Sequence, residues 1–148
     1  MNRRIMNQLN KALLFAMEKH KGQVDKAGKD YINHPVYVAL HMHTESAKIV
    51  ALLHDVLEDT DATVEDLTHL RLSKEQIEAI QLLTRTDKTE PYMDYIRRIH
   101  TNPLAAAVKK QDLLHNMDIS RFARPTEKDL LRAQKYQEAL ELLEPWQL

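Results

Sequence analysis

Cysteine is absent from the 148-residue chain, and glycine occurs only twice, as Gly22 and Gly28. Without cysteine there can be no disulfide, thiolate metal ligand or cysteine nucleophile, so any metal must be bound through nitrogen and oxygen. The scarcity of glycine favours helices joined by short connections. No apolar run approaches the length of a membrane span and no signal-peptide pattern begins the chain, so we expect a cytoplasmic protein without a membrane partner.

The chain also lacks an excess of charge of either sign. Its 21 lysines and arginines nearly balance its 22 acidic residues, and the net charge is −1. Because no basic surplus is available for a phosphate backbone, we expect no nucleic-acid partner. Hydrophobic residues make up 43% and charged residues 29% of the chain, as in soluble globular proteins. Length and composition together predict one domain spanning residues 1–148.

Helical spacing of apolar residues recurs along the sequence. The first predicted helix covers roughly residues 3–20, and an irregular loop is predicted for residues 21–33. Further helices are predicted to begin at capping residues or prolines, namely His34-Pro35, Thr44, Thr63, Ser73, Pro91, Pro103 and Thr126. The helix that Thr44 caps is predicted to run on to Leu57. No segment alternates with period two, so the sequence predicts an all-α protein of about seven to nine helices.

The segment VALLHDVLEDT, residues 50–60, joins an apolar helix to a cluster of ionisable groups. On one continuous helix, His54 lies one turn from Glu58, and Asp55 lies one turn from Asp59. Burying like charges this close together is costly unless a cation neutralises them, which favours a divalent metal. The alternative is a solvated helix end, because an isolated HD pair is weak evidence.

Two other segments carry similar chemistry. His34 lies at a predicted helix start beside the irregular loop, where a capping or hydrogen-bonding role is the alternative. Asp112, His115 and Asn116 share one helical face beyond an apolar stretch. A buried carboxylate such as Asp112 needs either a metal or a salt-bridge partner.

The order of His34, His54-Asp55 and Asp112 resembles the ligand set of the HD-domain metal phosphohydrolases. Within that superfamily the resemblance is closest to the hydrolase domain of RelA/SpoT-type guanosine polyphosphate enzymes and to small stand-alone alarmone hydrolases. The motifs that carry it are HKGQ-DK-G-Y-NHP (20–35), ALLHDVLEDT (51–60) and VKKQDLLHNMD (108–118). This resemblance implies a compact HD-domain helical bundle.

The resemblance also implies a set of functional residues. One divalent metal, Mn²⁺ by family usage, would be held by His34, His54, Asp55 and Asp112. Mixed histidine and carboxylate ligands also suit Fe, Co, Ni or Zn. Glu58 and Asp59 match the pair that the family uses to orient and deprotonate the attacking water, as a general base requires.

The implied substrate contacts are Lys26 and Asn116. Lys26 could instead be an ordinary solvated lysine, and Asn116 a packing amide bonded to backbone. Two positions depart from the family pattern: Asp25 stands where an arginine usually packs on guanine, and Ile119 where threonine is frequent. An acidic residue cannot supply that cation–π contact. Both departures concern the choice of substrate and leave the metal ligands intact.

The expected function is a metal-dependent phosphohydrolase acting on a nucleotide or related phosphate ester, with guanosine 3′,5′-bis(diphosphate) 3′-pyrophosphohydrolase activity as its most specific form. The alternatives are an HD-type 5′-nucleotidase, a phosphohydrolase of another substrate, a metal-bound nucleotide sensor without turnover, and a structural adaptor. The intact Glu58-Asp59 pair argues against a sensor. No stretch resembles a nucleotidyl-transfer synthetase, so we expect no synthetase activity. Trp146 is compatible with a C-terminal anchor or a homo-oligomer contact.

Overall fold

A computed structural model describes residues 7–144, and within that range the secondary structure is helical. Its α-helices, in chain order, are α1 (Gln8–Lys19), α2 (Asn33–Leu40), α3 (Glu45–Leu53), α4 (Val56–Asp59), α5 (Val64–His69), α6 (Lys74–Leu83), α7 (Tyr92–His100), α8 (Pro103–Met117) and α9 (Glu127–Leu143). A short 3₁₀ helix, Ile119–Arg121, joins α8 to α9. The irregular loop before α2 contains one antiparallel bridge, between Val24 and Asp30. The all-α prediction is confirmed.

The predicted helix starts agree with the structure to within one residue, and side-chain caps form at Thr44, Thr63, Ser73 and Thr126. Thr44 accepts a hydrogen bond from the Ala47 N–H at 3.1 Å and begins α3. Full capping boxes, in which two side chains satisfy each other's backbone N–H groups, begin three later helices at Thr63–Asp66, Ser73–Gln76 and Thr126–Asp129. Residues 3–6 of the first predicted helix and Trp146 lie outside the described residues, so the homo-oligomer and the single domain over residues 1–148 stay predictions.

The prediction of one continuous helix from Thr44 to Leu57 is wrong. Helix α3 ends at Leu53, and a turn at His54 and Asp55 separates it from α4. The His54 Nδ1 atom lies 2.6 Å from the Ala51 carbonyl oxygen. That carbonyl would accept the Asp55 N–H in a continuing helix. The side chain of His54 thus occupies the acceptor that the next turn would need, and the helix breaks at the HD pair.

Helix α3 is the most deeply buried element of the core. Its second half, from Ile49 to Leu53, is buried, and α1, α2, α6 and α8 all pack against it. Helix α8 in turn packs against α2, α7 and α9. The start of α2, the turn after α3 and the middle of α8 therefore meet beside the core. None of the helices within residues 7–144 combines the length and apolar character needed to cross a membrane.

Candidate metal centre and its cavity

Three of the predicted ligands converge in the interior. His34 on α2, His54 after α3 and Asp112 on α8 are 3%, 2% and 5% exposed. One potential ligand atom from each of them lies within 4.8 Å of the other two. The Asp112 Oδ1 atom is 2.7 Å from His34 Nε2 and 3.4 Å from His54 Nε2. This buried group could bind a metal ion.

The hydrogen bonds of the two histidines fit metal binding through Nε2. His54 donates from Nδ1 to the Ala51 carbonyl, which leaves the Nε2 lone pair facing the cluster. That Nε2 atom is buried and lies 3.1 Å from Asp55 Oδ2 and 3.4 Å from Asp112 Oδ1. His34 Nδ1 lies 2.7 Å from His115 Nδ1. Metal-bound histidines typically use their second nitrogen in this way, as a donor that fixes the tautomer and the ring orientation.

His115 is suited to accept that proton because it is uncharged. Its ring stacks on His34 and on Tyr37, with centroids 5.0 and 4.0 Å away. Desolvation, followed by repulsion from His34, lowers the pKa of His115 to about 4. A neutral His115 can accept at Nδ1 while Nε2 carries its proton. Sequence analysis placed His115 on the correct helical face without assigning it this role.

Asp112 is kept ionised by its neighbours. Burial alone would raise its pKa, but Lys109, His34 and His54 outweigh burial and hold the pKa well below its ordinary value. Lys109 donates from Nζ to Oδ2 at 2.8 Å, and Asn116 donates from Nδ2 to Oδ1 at 3.0 Å. Asn116, predicted as a substrate contact, therefore also orients a proposed ligand.

Asp55, the fourth predicted ligand, lies at the edge of the group. Its Oδ2 atom is 3.1 Å from His54 Nε2 and accepts a short hydrogen bond from the Tyr31 hydroxyl. Burial alone would raise the pKa of this carboxyl, but the effect of the neighbouring His54 is larger, and the pKa is lowered to about 2. Asp55 is thus an anion directed at the cluster, and its role as a ligand stays a prediction.

Removing the Tyr31 hydroxyl tests whether Asp55 serves the metal. We expect Tyr31→Phe to weaken Mn²⁺ binding by roughly 10- to 100-fold, the range seen when an outer-shell partner of a ligand is lost. Titration calorimetry with Mn²⁺ measures the effect. Tyr37→Phe is the matched control, because the Tyr37 ring also lies beside the cluster but its hydroxyl makes no hydrogen bond to any described residue. Equal affinity in both variants would remove Asp55 from the ligand set.

The two predicted catalytic carboxylates have different surroundings. Both oxygens of Glu58 accept hydrogen bonds. Oε1 accepts one from the backbone N–H of Arg85 at 2.8 Å, and Oε2 accepts one from Lys88 Nζ at 2.7 Å. The Asp59 carboxylate makes no hydrogen bond to any residue between 7 and 144. Desolvation, together with repulsion from Asp55 and Glu58, raises the pKa of Asp59 to about 6. Asp59 is therefore the more available proton acceptor.

A cavity of about 260 Å³ opens over the cluster and exposes both carboxylates. Its wall brings together residues from five helices and three connecting segments, among them Tyr31, Asp55, Asp59, Arg85, Tyr92, Lys109, Asp112, Lys135 and Tyr136. Three of these, Arg85, Lys109 and Lys135, are cations that the sequence analysis missed. Of the three, only Lys109 could have been predicted from the sequence, because it lies one helical turn before Asp112.

A second pocket of about 270 Å³ adjoins this cavity and shares Tyr31, Asn116 and Tyr136 with it. Lys26 lines the second pocket, so the structure brings the two predicted substrate contacts, Lys26 and Asn116, to a common boundary. Burial, followed by repulsion from Arg132, lowers the pKa of Lys26.

The departure at Asp25 has a structural explanation in this pocket. Its Oδ1 atom accepts the backbone N–H groups of Ala27 and Lys29, at 2.8 and 2.9 Å, and so fixes the loop that carries Lys26. Its Oδ2 atom is 3.5 Å from the Arg121 guanidinium. Arg121 lies over the Phe122 ring, 5.6 Å from its centroid. A guanidinium and an aromatic ring thus line the pocket, although they come from the α8–α9 connection and not from position 25.

No family model matches the chain, but individual relatives do. It is 29% identical over 139 residues to a guanosine-3′,5′-bis(diphosphate) 3′-pyrophosphohydrolase of Spiroplasma citri, an alignment that covers 85% of this chain and 19% of the relative. It is 30% identical over 155 positions to the bifunctional (p)ppGpp synthase/hydrolase SpoT of Escherichia coli, covering 95% of this chain and 21% of that protein. It is 35% identical over 122 residues to the GTP pyrophosphokinase rsh of Brucella melitensis, covering 74% and 16%. The chain thus spans about a fifth of the length of these curated relatives.

A solved structure extends the comparison to the fold. It is a metazoan ortholog of SpoT that hydrolyzes ppGpp and plays a role in starvation responses, and it superimposes with a TM-score of 0.72 at 25% identity. The superposition covers 95% of this chain and 85% of the other. The helical fold, the convergence of His34, His54 and Asp112, and these relatives agree with the resemblance carried by the sequence motifs. The chain belongs to the HD-domain hydrolases of the RelA/SpoT type.

Proposed function

We propose that this chain is a metal-dependent phosphohydrolase that removes the 3′-pyrophosphate from guanosine 3′,5′-bis(diphosphate) or a closely related nucleotide. The observation that carries the proposal is the buried His34–His54–Asp112 group at the base of a cavity that also holds the Asp59 carboxylate. The relatives named as hydrolases of this nucleotide support the choice of substrate. Because the chain spans about a fifth of their length, their activity is carried over here as a proposal.

The residues that would hold the metal are His34, His54 and Asp112, with Asp55 as the fourth ligand. Two imidazoles and two carboxylates suit Mn²⁺, which we propose as the metal, and they also suit Fe, Co, Ni or Zn. A bound divalent ion would supply Lewis-acid chemistry, lowering the pKa of a water and polarising a phosphate. The position of the buried His54 Nε2 atom supports this assignment, since it lies within 3.4 Å of a carboxylate oxygen of both Asp55 and Asp112.

The protein residues divide the remaining work between them. Asp59 takes the proton from the attacking water, because its carboxylate is the one without a hydrogen-bond partner. Glu58 accepts hydrogen bonds from the backbone N–H of Arg85 and from the Lys88 ammonium, and so fixes the segment after α6 that lines the cavity. The water oxygen forms a bond to phosphorus, the bond from phosphorus to the 3′ oxygen breaks, and the freed 3′ oxygen takes up a proton and becomes a hydroxyl. The products are pyrophosphate and the nucleoside 5′-diphosphate.

The two adjoining pockets accommodate the two ends of such a substrate. The 3′-phosphates occupy the cavity over the cluster, and the nucleoside occupies the second pocket. There the Arg121 guanidinium and the Phe122 ring offer a flat cationic and aromatic surface for the base. We propose that Arg121 replaces the arginine that the family pattern places at position 25.

A substrate panel tests the proposed function against the alternatives. With Mn²⁺ present, guanosine 3′,5′-bis(diphosphate) should yield pyrophosphate, while nucleoside monophosphates and triphosphates should yield little product. Phosphate release from monophosphates alone would instead identify a 5′-nucleotidase. Tight binding of the guanosine nucleotide with no product would identify a sensor. Either result would overturn the proposal, and chromatography of the nucleotide products distinguishes the three.

A further inference from the structure

Two cations share one aromatic ring in the wall of the cavity. The Lys135 ammonium on α9 lies 4.4 Å from the centroid of the Tyr92 ring. The Arg85 guanidinium, which follows α6, lies 5.5 Å from the same centroid. Cation–π attraction holds each of them to the ring, but it does not neutralise either charge.

Neither of these cations has a carboxylate partner among the described residues. The Arg85 guanidinium donates to the backbone carbonyl of Glu90 at 2.6 Å, and its Nε atom is buried without a partner. No hydrogen bond or ion pair to a described residue satisfies the Lys135 ammonium. Its pKa is lowered by burial and then by repulsion from Arg85 and Arg132. Two positive charges thus face one cavity, and neither forms an ion pair with a carboxylate of residues 7–144.

Three other cations near this cavity are paired. Lys109 is 2.8 Å from Asp112, Lys88 is 2.7 Å from Glu58, and Arg132 is 3.0 Å from Asp129. The Tyr92 hydroxyl is also buried and has no hydrogen-bond partner. The Tyr92 hydroxyl is a hydrogen-bond donor beside two cations that no carboxylate neutralises. Such a group of donors is suited to bind an anion with several oxygens.

We propose that Arg85, Tyr92 and Lys135 form an anion subsite for the outer phosphate of a diphosphate group. This inference rests on the proposed function and deepens it, because the subsite shares its cavity with Asp55, Asp59 and Asp112. We expect a group with two linked phosphates to contact both the cluster and the subsite, and a single phosphate to contact only one of them. The chain is thereby selective for substrates that release pyrophosphate over those that release orthophosphate.

Calorimetric titration of inorganic pyrophosphate and of orthophosphate tests the subsite without turnover. The protein is loaded with Mn²⁺ and freed of excess metal, and wild type is compared with Lys135→Met, whose side chain keeps a similar length without the charge. We expect Lys135→Met to weaken pyrophosphate binding about tenfold, as for the loss of one charge-assisted contact, and to change orthophosphate binding much less. Lys135→Arg should restore most of the affinity.

Lys74→Met is the matched control, because it removes the same charge from an exposed position at the start of α6. Its pyrophosphate affinity should equal that of wild type. Calorimetric melting confirms that each variant is folded, and Lys135 is exposed enough for its replacement to leave the core intact. Unchanged pyrophosphate affinity in Lys135→Met, or an equal loss for both anions, would overturn the subsite.

The outcome is separable from that of the proposed function. Wild type that binds pyrophosphate through Lys135 but hydrolyses no guanosine nucleotide would retain the subsite and refute the proposed reaction. Wild type that hydrolyses the nucleotide while Lys135→Met binds pyrophosphate normally would retain the reaction and refute the subsite.

Discussion

Asp112→Ala is expected to remove the metal and to lower the free energy of unfolding by about 3–5 kcal/mol, the cost of breaking a buried pair. The carboxylate lies between both histidines of the cluster and is 2.8 Å from Lys109. The Lys109 side chain is only 13% exposed, so it would be left as a buried charge without its closest partner. Turnover should fall by roughly a thousandfold or more, since several kcal/mol of charge stabilisation disappear with the metal.

The double variant Asp112→Ala/Lys109→Met separates the two losses. Replacing the stranded ammonium with an apolar side chain should recover most of the lost stability, while the metal stays absent. Urea unfolding measures the free energy, and elemental analysis of the purified variants measures the metal. A double variant no more stable than Asp112→Ala would show that the pair with Lys109 is not what Asp112 contributes to folding. Retained metal in either variant would show that Asp112 is not a ligand.

Asp59→Asn should lower the turnover number by roughly 10²- to 10⁴-fold, the usual range for the loss of a general base. The amide cannot accept the proton from water, but it has nearly the same size and should leave the cavity unchanged. The metal content should equal that of wild type because Asp59 is not among the proposed ligands. Steady-state kinetics on guanosine 3′,5′-bis(diphosphate), with metal analysis of the same preparation, check both statements.

Glu58→Gln provides the comparison within the same pair. Both Glu58 oxygens already bind other groups, so we expect a smaller loss, about tenfold, as for a residue that positions others and does not move the proton. If Glu58→Gln proved the more damaging variant, the assignment of the base would have to be reversed.

The sequence predicted the components of the cluster better than its local geometry. The predicted ligands His34, His54 and Asp112 are far apart in the chain, and only the order of the motifs connected them. The caps at Thr44, Ser73 and other helix starts were predictable because each depends on residues three positions apart. The break between α3 and α4 was not, because the side chain of His54 takes the Ala51 carbonyl and no helix propensity records that competition.

The cations of the cavity could not be predicted for a different reason. Arg85 and Lys135 come from segments that meet only through tertiary packing, and neither belongs to a recognisable motif. Arg121 was missed for the same reason, although its pairing with Asp25 accounts for the departure from the family pattern. Local spacing predicts partners on one helix, such as Lys109 and Asp112, whereas partners on different helices depend on the whole fold.

Pyrophosphate release from guanosine 3′,5′-bis(diphosphate) before and after removal of the metal tests the central claim most directly. The proposed function predicts that protein from which a chelator has removed the metal releases no pyrophosphate. Added Mn²⁺ should restore the release of one pyrophosphate for each nucleoside diphosphate formed. Release that persists in metal-free protein, or orthophosphate as the sole phosphorus product, would contradict it.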